Sequence, residues 1–397
     1  MGRITKIETK VLDFIKSNVV FVFMIGITVL SMMIRYFCRS FISEDAQYCL
    51  LPWYDQIAAY KSSQCLAEQI GDYNILYQFI IYLFTYLPIK SLYAYKIFSI
   101  IFDYALAIVV AIIVDDKNSS IKGRLQSERF VMAYSVIIMS PLVFLNSSCW
   151  AQCDAIWTFF IFAALYAFVK EKYIGMFALF GIAISFKFQA IFVLPFLLIL
   201  YVREKKFSIL NCLIVPLMMI VLALPGIIKG RGVLEPFLIY ANQTGEYKAV
   251  SMNYPSFWNC IVCEWSGKNG DYFEFKLVAV CFTVAILGVI AVWKLKSNVK
   301  MDLFRLIFLL HVTVYTCVLF LPTMHERYGY VYEITALILA IMNKKFIVPG
   351  IGVILLSCIT YGHFLFGLEY SVMLASLVNI VLYIYYMMRL YNINNAE

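Results

Sequence analysis

The sequence predicts an all-α polytopic membrane protein, and three observations carry that prediction. Of its 397 residues, 63% are hydrophobic and only 14% charged, with a mean hydropathy of +0.83; no water-soluble globule hides so much apolar surface. The apolar residues gather into stretches close to membrane-spanning length, a straight crossing taking about 20 residues. Between the stretches Lys and Arg collect in short clusters, the pattern that sets orientation in a bilayer. The expectation is a single membrane domain over residues 1–397, with about 11–13 transmembrane helices.

In order, the apolar stretches run from Ser17 to Phe37, Asn74 to Leu87, Ile97 to Val114, Phe130 to Leu145, Ala155 to Val169, and Tyr173 to Phe186. Others follow from Ala190 to Val202, Phe207 to Leu224, Phe273 to Val292, Leu303 to Leu321, Tyr328 to Met342, Phe346 to Tyr361, and Leu368 to Met388. The first has no small-residue cleavage site after it and reads as a retained helix. Several are shorter than a straight crossing, which calls for tilt, extension by interfacial aromatics, or a break where a helix lines a cavity.

The basic clusters assign the two faces. The amino end, the Lys170 to Lys172 turn, the Arg203 to Lys206 turn, the Lys294 to Arg305 stretch, Lys344 with Lys345, and Arg389 all read as cytoplasmic. Alternation then puts Asn146 to Asp154, the region of Lys187 and Gln189, and Pro322 to Tyr328 on the outer face. One step fails: four runs between Ser17 and Leu145 return the chain to the cytoplasmic side, whereas the later clusters need Asn146 outside. Either the Asn74 to Leu87 run does not cross fully, or another early element is re-entrant.

Two connections are too long for simple turns. Residues 38–73 form a first external loop, acidic in balance, in which Leu50, Leu51, Trp53, Tyr54, Ile57 and Tyr60 recur at helical spacing. An interfacial amphipathic helix after Pro52 is expected. Residues 225–272 form a second long external loop carrying Trp258 and Trp265, either an interfacial loop or a lid or acceptor wall.

The formal net charge of +8 does not mark a nucleic-acid partner, because the basic residues form no continuous stripe. Most of the eleven cysteines lie in apolar runs and read as packing residues. Cys49 with Cys65, or Cys260 with Cys263, are spaced to pair if their loops face an oxidising space. There is no GxxxxGK[ST], HExxH, GxGxxG or GxSxG motif. Only His311, His325 and His363 are present, from separate segments, so a multi-histidine metal site is not expected. No cofactor is called for; Glu44 with Asp45 would suit a divalent cation, or is plain solvated charge at a loop start.

The polar residues that matter crowd the outer ends of helices. Glu44 and Asp45 follow the first run; Asn146, Gln152 and Asp154 surround Trp150; Lys187 and Gln189 interrupt an apolar run; and His325, Glu326 and Arg327 form the one dense ionisable triplet at a helix boundary. Charged groups at the edge of hydrocarbon are costly unless paired or hydrated, which points to a polar cavity; taken singly, each is also readable as a snorkelling or topogenic residue. As a set they supply what sugar transfer from a lipid phosphate needs. Asp45 would accept the proton of an incoming hydroxyl, while Arg327, Lys187 and His325 would offset charge on the phosphate.

The strings EDAQYCLLPWYDQI from Glu44, GDYNILYQF from Gly71, NSSCWAQCDAIW from Asn146, FKFQAI from Phe186 and MHERYGY from Met324 resemble landmarks of the GT-C superfamily of membrane glycosyltransferases. The group they resemble most is the bacterial proteins similar to the second mannosyltransferase of glycosylphosphatidylinositol assembly. Three departures stand out: Ala151 and Cys153 occupy positions where related WGQ strings often carry Gly and another small residue, Gly329 replaces a bulkier residue, and the Asn74 to Tyr77 string lacks the usual proline.

The resemblance implies a GT-C-like helical bundle in the bacterial plasma membrane. It further implies an outward-facing site that inverts the anomeric centre of a sugar carried on polyprenyl phosphate, with a glycan or lipid-linked acceptor. In that pattern Asp45 is the catalytic base or an acceptor-binding carboxylate, Asp154 the second acidic landmark, and His325, Glu326 and Arg327 the donor-site motif; on chemistry alone, a cation at a membrane boundary needs a nearby carboxylate, so Glu326 is expected to hold Arg327. Lys187 would join the phosphate site, and Glu44, Gln152 and Gln189 would support it or bind sugar. A transporter or flippase for a lipid-linked glycan is the rival reading, since it too needs polar groups around a cavity.

Overall fold

The computed structural model describes residues 5–243, 249–261 and 272–395. Among the described residues the chain is helical, with no strand. Among these described residues seven helices are long and apolar enough to cross a membrane: Val19–Ser40, Ser91–Val114, Ile209–Ile227, Phe275–Lys296, Leu303–Phe320, Lys344–Phe366 and Val372–Ile393. Four shorter apolar helices accompany them: Ile75–Phe84, Asp154–Val169, Tyr173–Phe186 and Tyr330–Met342. The protein is an all-α, multi-pass membrane bundle.

The bundle is sorted in the sense that lipid imposes. The Val19–Phe37 helix buries only Ser31 and Arg35, and exposes Phe23, Ile25, Val29, Leu30 and Met32. Outside water, apolar side chains face hydrocarbon and polar groups must find partners within the protein. Arg35 does so through Asp103: Nε and Nη2 donate to Oδ2 at 3.1 and 2.9 Å, and Nη2 also to the Ile138 carbonyl at 3.2 Å. Ser147 Oγ donates to the same Asp103 oxygen at 2.6 Å. At the opposite extreme, Leu303–Phe320 is buried along almost its whole length and packs on Tyr330–Met342, where Tyr315 and Tyr332 stack at 4.1 Å.

The step at which the sequence lost its alternation has a structural cause. Ile75–Phe84 has 10 residues, a rise of about 15 Å, half of what a crossing requires. Near its start Gln78 Nε2 donates to the Cys65 carbonyl at 2.8 Å, and at its end Phe84 packs on Tyr95 at 5.5 Å. Tyr95 OH donates to the Leu50 carbonyl, and Lys96 Nζ to the carbonyls of Cys38, Arg39 and Phe41. Ile75–Phe84 therefore returns to the end where the first helix finished, and the second pass is Ser91–Val114. Lys96 also satisfies carbonyls left open where that first helix ends, which anchors the chain just before Asp45.

The next pass is broken. Glu128–Met139 and Pro141–Cys149 meet at 49°. Pro141 lacks an N–H and forces Ser140 out of the helical region, to ψ 128°. The run expected from Ala190 to Val202 divides in the same way into a 3-10 turn, Phe188–Val193, and a helix, Leu194–Glu204, with Pro195 in its first turn. Arg203 donates to the carbonyls of Lys294 and Val299. The two basic turns therefore share one end of the bundle, the end away from Asp45.

The 38–73 connection forms a π-helical turn, Ala46–Leu50, a helix, Leu51–Ala59, with Pro52 in its first turn, and a 3-10 turn, Ser63–Ala67. In the 225–272 connection a helix covers Glu235–Gln243, and Trp258 is buried with Nε1 donating to the Phe320 carbonyl at 2.7 Å. Cys263 and Trp265 lie outside the described residues. Cys65 and Cys260 are thiols, and the Cys49–Cys65 bond that an oxidising space would allow is not made.

Candidate functional site

Asp45 is placed by its neighbours before its own side chain acts. Ser43 Oγ donates to the Trp150 carbonyl at 3.0 Å and accepts from the Ala46 amide at 3.2 Å, tying the loop to the 150s turn. One carboxylate oxygen of Asp45, Oδ2, then accepts three hydrogen bonds: Trp150 Nε1 at 2.8 Å, Gln152 Nε2 at 2.7 Å and Arg327 Nη1 at 2.6 Å. Three donors on one oxygen fix the plane of the carboxylate. They leave Oδ1 free of them.

The turn that supplies two of those donors has unusual backbone geometry. A π-helical turn, Leu145–Cys149, ends at Trp150, and Ala151 follows at φ 62°, the left-handed region that favours glycine. This reversal lets the Gln152 amide donate to the Asn146 carbonyl at 3.0 Å while Ser99 Oγ holds the Gln152 carbonyl at 2.6 Å. Tyr73 OH donates to Gln152 Oε1 at 3.0 Å. Burial raises the Tyr73 pKa well above the ordinary phenol value, keeping that hydroxyl a donor. The Gln152 side chain is thus held at both ends and its amide orientation is settled.

Asp154 sits one layer deeper, at the start of Asp154–Val169. Its Oδ1 takes Lys187 Nζ at 2.5 Å and Trp157 Nε1 at 3.0 Å; its Oδ2 takes Asn146 Nδ2 at 2.9 Å. Lys187 stands in the extended break between Tyr173–Phe186 and the following 3-10 turn. It faces the site with its charge balanced from behind.

The triplet divides by role. Arg327 pairs with Asp45, and its guanidinium lies 5.4 Å from the Trp150 ring centre, while its Nε is buried with no hydrogen-bond partner. Trp150 is itself stacked on Phe364 at 4.4 Å. Glu326, expected to hold Arg327, forms no ion pair with it: the carboxylate is buried, its Oε2 has no hydrogen-bond partner, and burial raises its pKa. His325 packs against Tyr328 at 5.1 Å. Burial, and then the charges of Arg327 and Lys187, push its pKa down to about 3, so at neutral pH the imidazole is uncharged and offers a phosphate no positive charge. A side chain at Gly329 would run into the Tyr332 ring and the Glu333 carboxylate, which accounts for the small residue there.

These groups border a cavity of about 340 Å³, a size that suits a small-molecule headgroup. Asp45, Gln152, Lys187, Gln189 and Arg327 line it; Asp154, His325 and Glu326 do not, and Glu44 is exposed outside it. Trp53, Asp72, Tyr73 and Lys276 line it as well. Tyr73 lies inside a string already singled out, but an aromatic near a helix end gives no signal of its own. The Glu44–Asp45 pair does not fit a divalent cation, since Glu44 is exposed and Asp45 Oδ2 already meets three donors, one of them a cation. Among the described residues no group of three His, Cys, Asp or Glu side chains could hold a metal ion.

Compared with models of known protein families and with curated proteins, the chain matches none. The chemistry is therefore read from the site itself. A carboxylate with one free oxygen can accept a proton. Beside it, a guanidinium with an unused edge can hold an anion as it gains charge.

Proposed function

We propose that the protein is an inverting, GT-C-type glycosyltransferase that moves a hexose or related sugar from a polyprenyl phosphate to a glycan or lipid-linked acceptor. The observation that carries this reading is the Asp45–Arg327 pair in the wall of one cavity, base and anion holder side by side. In the reaction the acceptor oxygen bonds to C1 of the sugar as the bond from C1 to the phosphate oxygen breaks. The hydroxyl proton passes to Asp45 Oδ1, and the bonding electrons leave with polyprenyl phosphate.

The charges balance. The donor phosphodiester carries one negative charge and the departing phosphate monoester two, while Asp45 loses its charge on taking the proton. Arg327, bonded to Asp45 at the outset, is released toward the phosphate as that transfer proceeds. Lys187 adds positive potential, moderated by Asp154. Gln189 Oε1, buried without a hydrogen-bond partner, is an acceptor for a sugar hydroxyl.

In this reading the seven long helices, the bent pair, the 188–204 stretch and three shorter apolar helices make twelve crossings. The even number leaves both ends of the chain on the side of the basic turns. By the positive-inside rule that side is cytoplasmic, and the site opens outward from a bacterial plasma membrane. The test is purified protein in nanodiscs with a panel of polyprenyl-phosphate sugars. Free polyprenyl phosphate and an extended glycan support the reading. In vesicles, movement of an intact lipid-linked glycan without cleavage supports a flippase instead.

A further inference from the structure

The central cavity has a neighbour. Between the 69–72 turn and the Glu235–Gln243 helix lies an open groove of about 850 Å³. Asp72 and Gln243 line both spaces, and Gln243 Nε2 donates to the Asp72 carbonyl. The two spaces thus meet at this contact, while just behind it Asn74 Nδ2 donates to the Pro236 carbonyl at 2.9 Å and ties the turn to the helix. Gly71, at φ 76°, makes the turn beneath it, and a side chain there would collide with the Trp53 indole. The turn therefore brings the Gly71 backbone against an aromatic that lines the cavity.

The groove's lining selects a ligand class. Its described lining residues include no Lys or Arg. Of its two carboxylates, Glu235 is already engaged, Oε1 by Arg231 at 2.8 Å and Oε2 by the Gly232 amide at 3.2 Å. Gln69 is engaged too, by the Gly71 and Tyr73 carbonyls and by Arg231, which leaves the Asp72 carboxylate, the Asn242 side-chain amide and the Gln243 side-chain carbonyl on the polar side. Exposed Leu234 and Leu238 form the apolar side. Amides and a carboxylate suit sugar hydroxyls, aliphatic side chains suit the C–H faces of a sugar ring or a lipid stem, and a negative charge at the divider disfavours an anionic ligand.

We infer that this groove is the acceptor subsite, that it takes an uncharged carbohydrate, and that the Asp72–Gln243 contact divides it from the donor cavity. The inference rests on the proposed transfer reaction, yet binding tests it separately. An acceptor lying in the groove passes its hydroxyl across the divider to Asp45, while the donor phosphate stays beside Arg327.

The experiment measures binding of mannobiose and of its phosphomonoester to the protein in nanodiscs, each free and on a short alkyl chain, alongside release of polyprenyl phosphate. The neutral sugar is expected to bind at least about tenfold more tightly than its phosphomonoester, a difference of about 1.4 kcal/mol. Asp72→Asn should narrow that gap. Leu238→Asp should weaken neutral-sugar binding and raise the acceptor KM while the donor KM holds, and Gln243→Ala should weaken neutral-sugar binding. Tighter binding of the alkyl form identifies a lipid-linked acceptor, and equal binding a free glycan. Equal binding of neutral and phosphorylated sugars, or wild-type sugar binding by both L238D and Q243A, overturns the inference. Sugar binding with no polyprenyl phosphate released would remove the transfer reaction and leave a carbohydrate-binding groove.

Discussion

Asp45 and Arg327 are 282 positions apart in the chain and 2.6 Å apart in the structure. Their side chains are 24% and 17% exposed, so the pair is neither solvated nor sealed and a ligand can reach it. A fully buried pair would serve mainly to hold helices together. This one joins the first long connection to the turn after Leu303–Phe320 and leaves Asp45 Oδ1 and Arg327 Nε outside its hydrogen bonds, both residues lining the cavity.

Arg327→Lys keeps the charge and loses the planar fork. The donor KM should rise about tenfold, corresponding to about 1.4 kcal/mol, with a smaller change in the acceptor KM. Steady-state kinetics with both substrates varied read the two separately, and an unchanged donor KM in Arg327→Ala would remove Arg327 from the phosphate.

Ala151 adopts a backbone conformation that costs an L-residue about 1–2 kcal/mol. Ala151→Gly relieves that strain, and after glycine's extra unfolded-state freedom is subtracted it should stabilise the protein by about 0.5–1 kcal/mol. Thermal unfolding in detergent measures it; a lowered Tm would mean that the buried methyl group contributes more through packing than the strain costs.

Arg35 and Asp103 form a buried pair within the helices. Removing one partner strands a charge, so Arg35→Met and Asp103→Leu should each destabilise by about 3–5 kcal/mol, and the double variant by less than either single one. Additive losses would show that the two side chains act independently.

Burial holds His325 in the folded chain at a pKa of about 3, against about 6.5 for an ordinary imidazole. The unfolded chain therefore binds a proton that the folded chain refuses between those values, and stability falls as pH drops through 6.5 toward 3. His325→Gln should flatten this part of the pH–stability curve. Parallel curves for the two proteins between pH 7 and about 4 would contradict the assignment.

Much of this was legible where charge meets an apolar boundary. Asp45, Lys187 and Arg327 announce themselves because hydrocarbon makes an idle charge costly, and the structure brings all three to one cavity. Arg35 and Asp103 also stand as lone charges in apolar runs and were passed over, because a pairing across 68 positions is a tertiary fact. The Asn74 to Leu87 run was one of two candidates for the failed alternation, and only the structure chooses it, because hydropathy measures preference for lipid and not direction of travel. Trp150 and Tyr73, which orient Asp45 directly and through Gln152, were hidden by composition. Among 29 Tyr and 6 Trp, one indole N–H or one phenol does not stand out until the acceptor beside it is known. Glu326 was misjudged because adjacency in sequence suggested an ion pair that the turn does not form.

The most direct measurement is turnover by Asp45→Asn, a change that keeps the side chain's shape and removes its basicity. With purified protein, a polyprenyl-phosphate sugar and an acceptor, the account expects polyprenyl phosphate release to fall by about 10²–10⁴-fold while the variant remains folded and still binds donor. Undiminished release by folded D45N would contradict it.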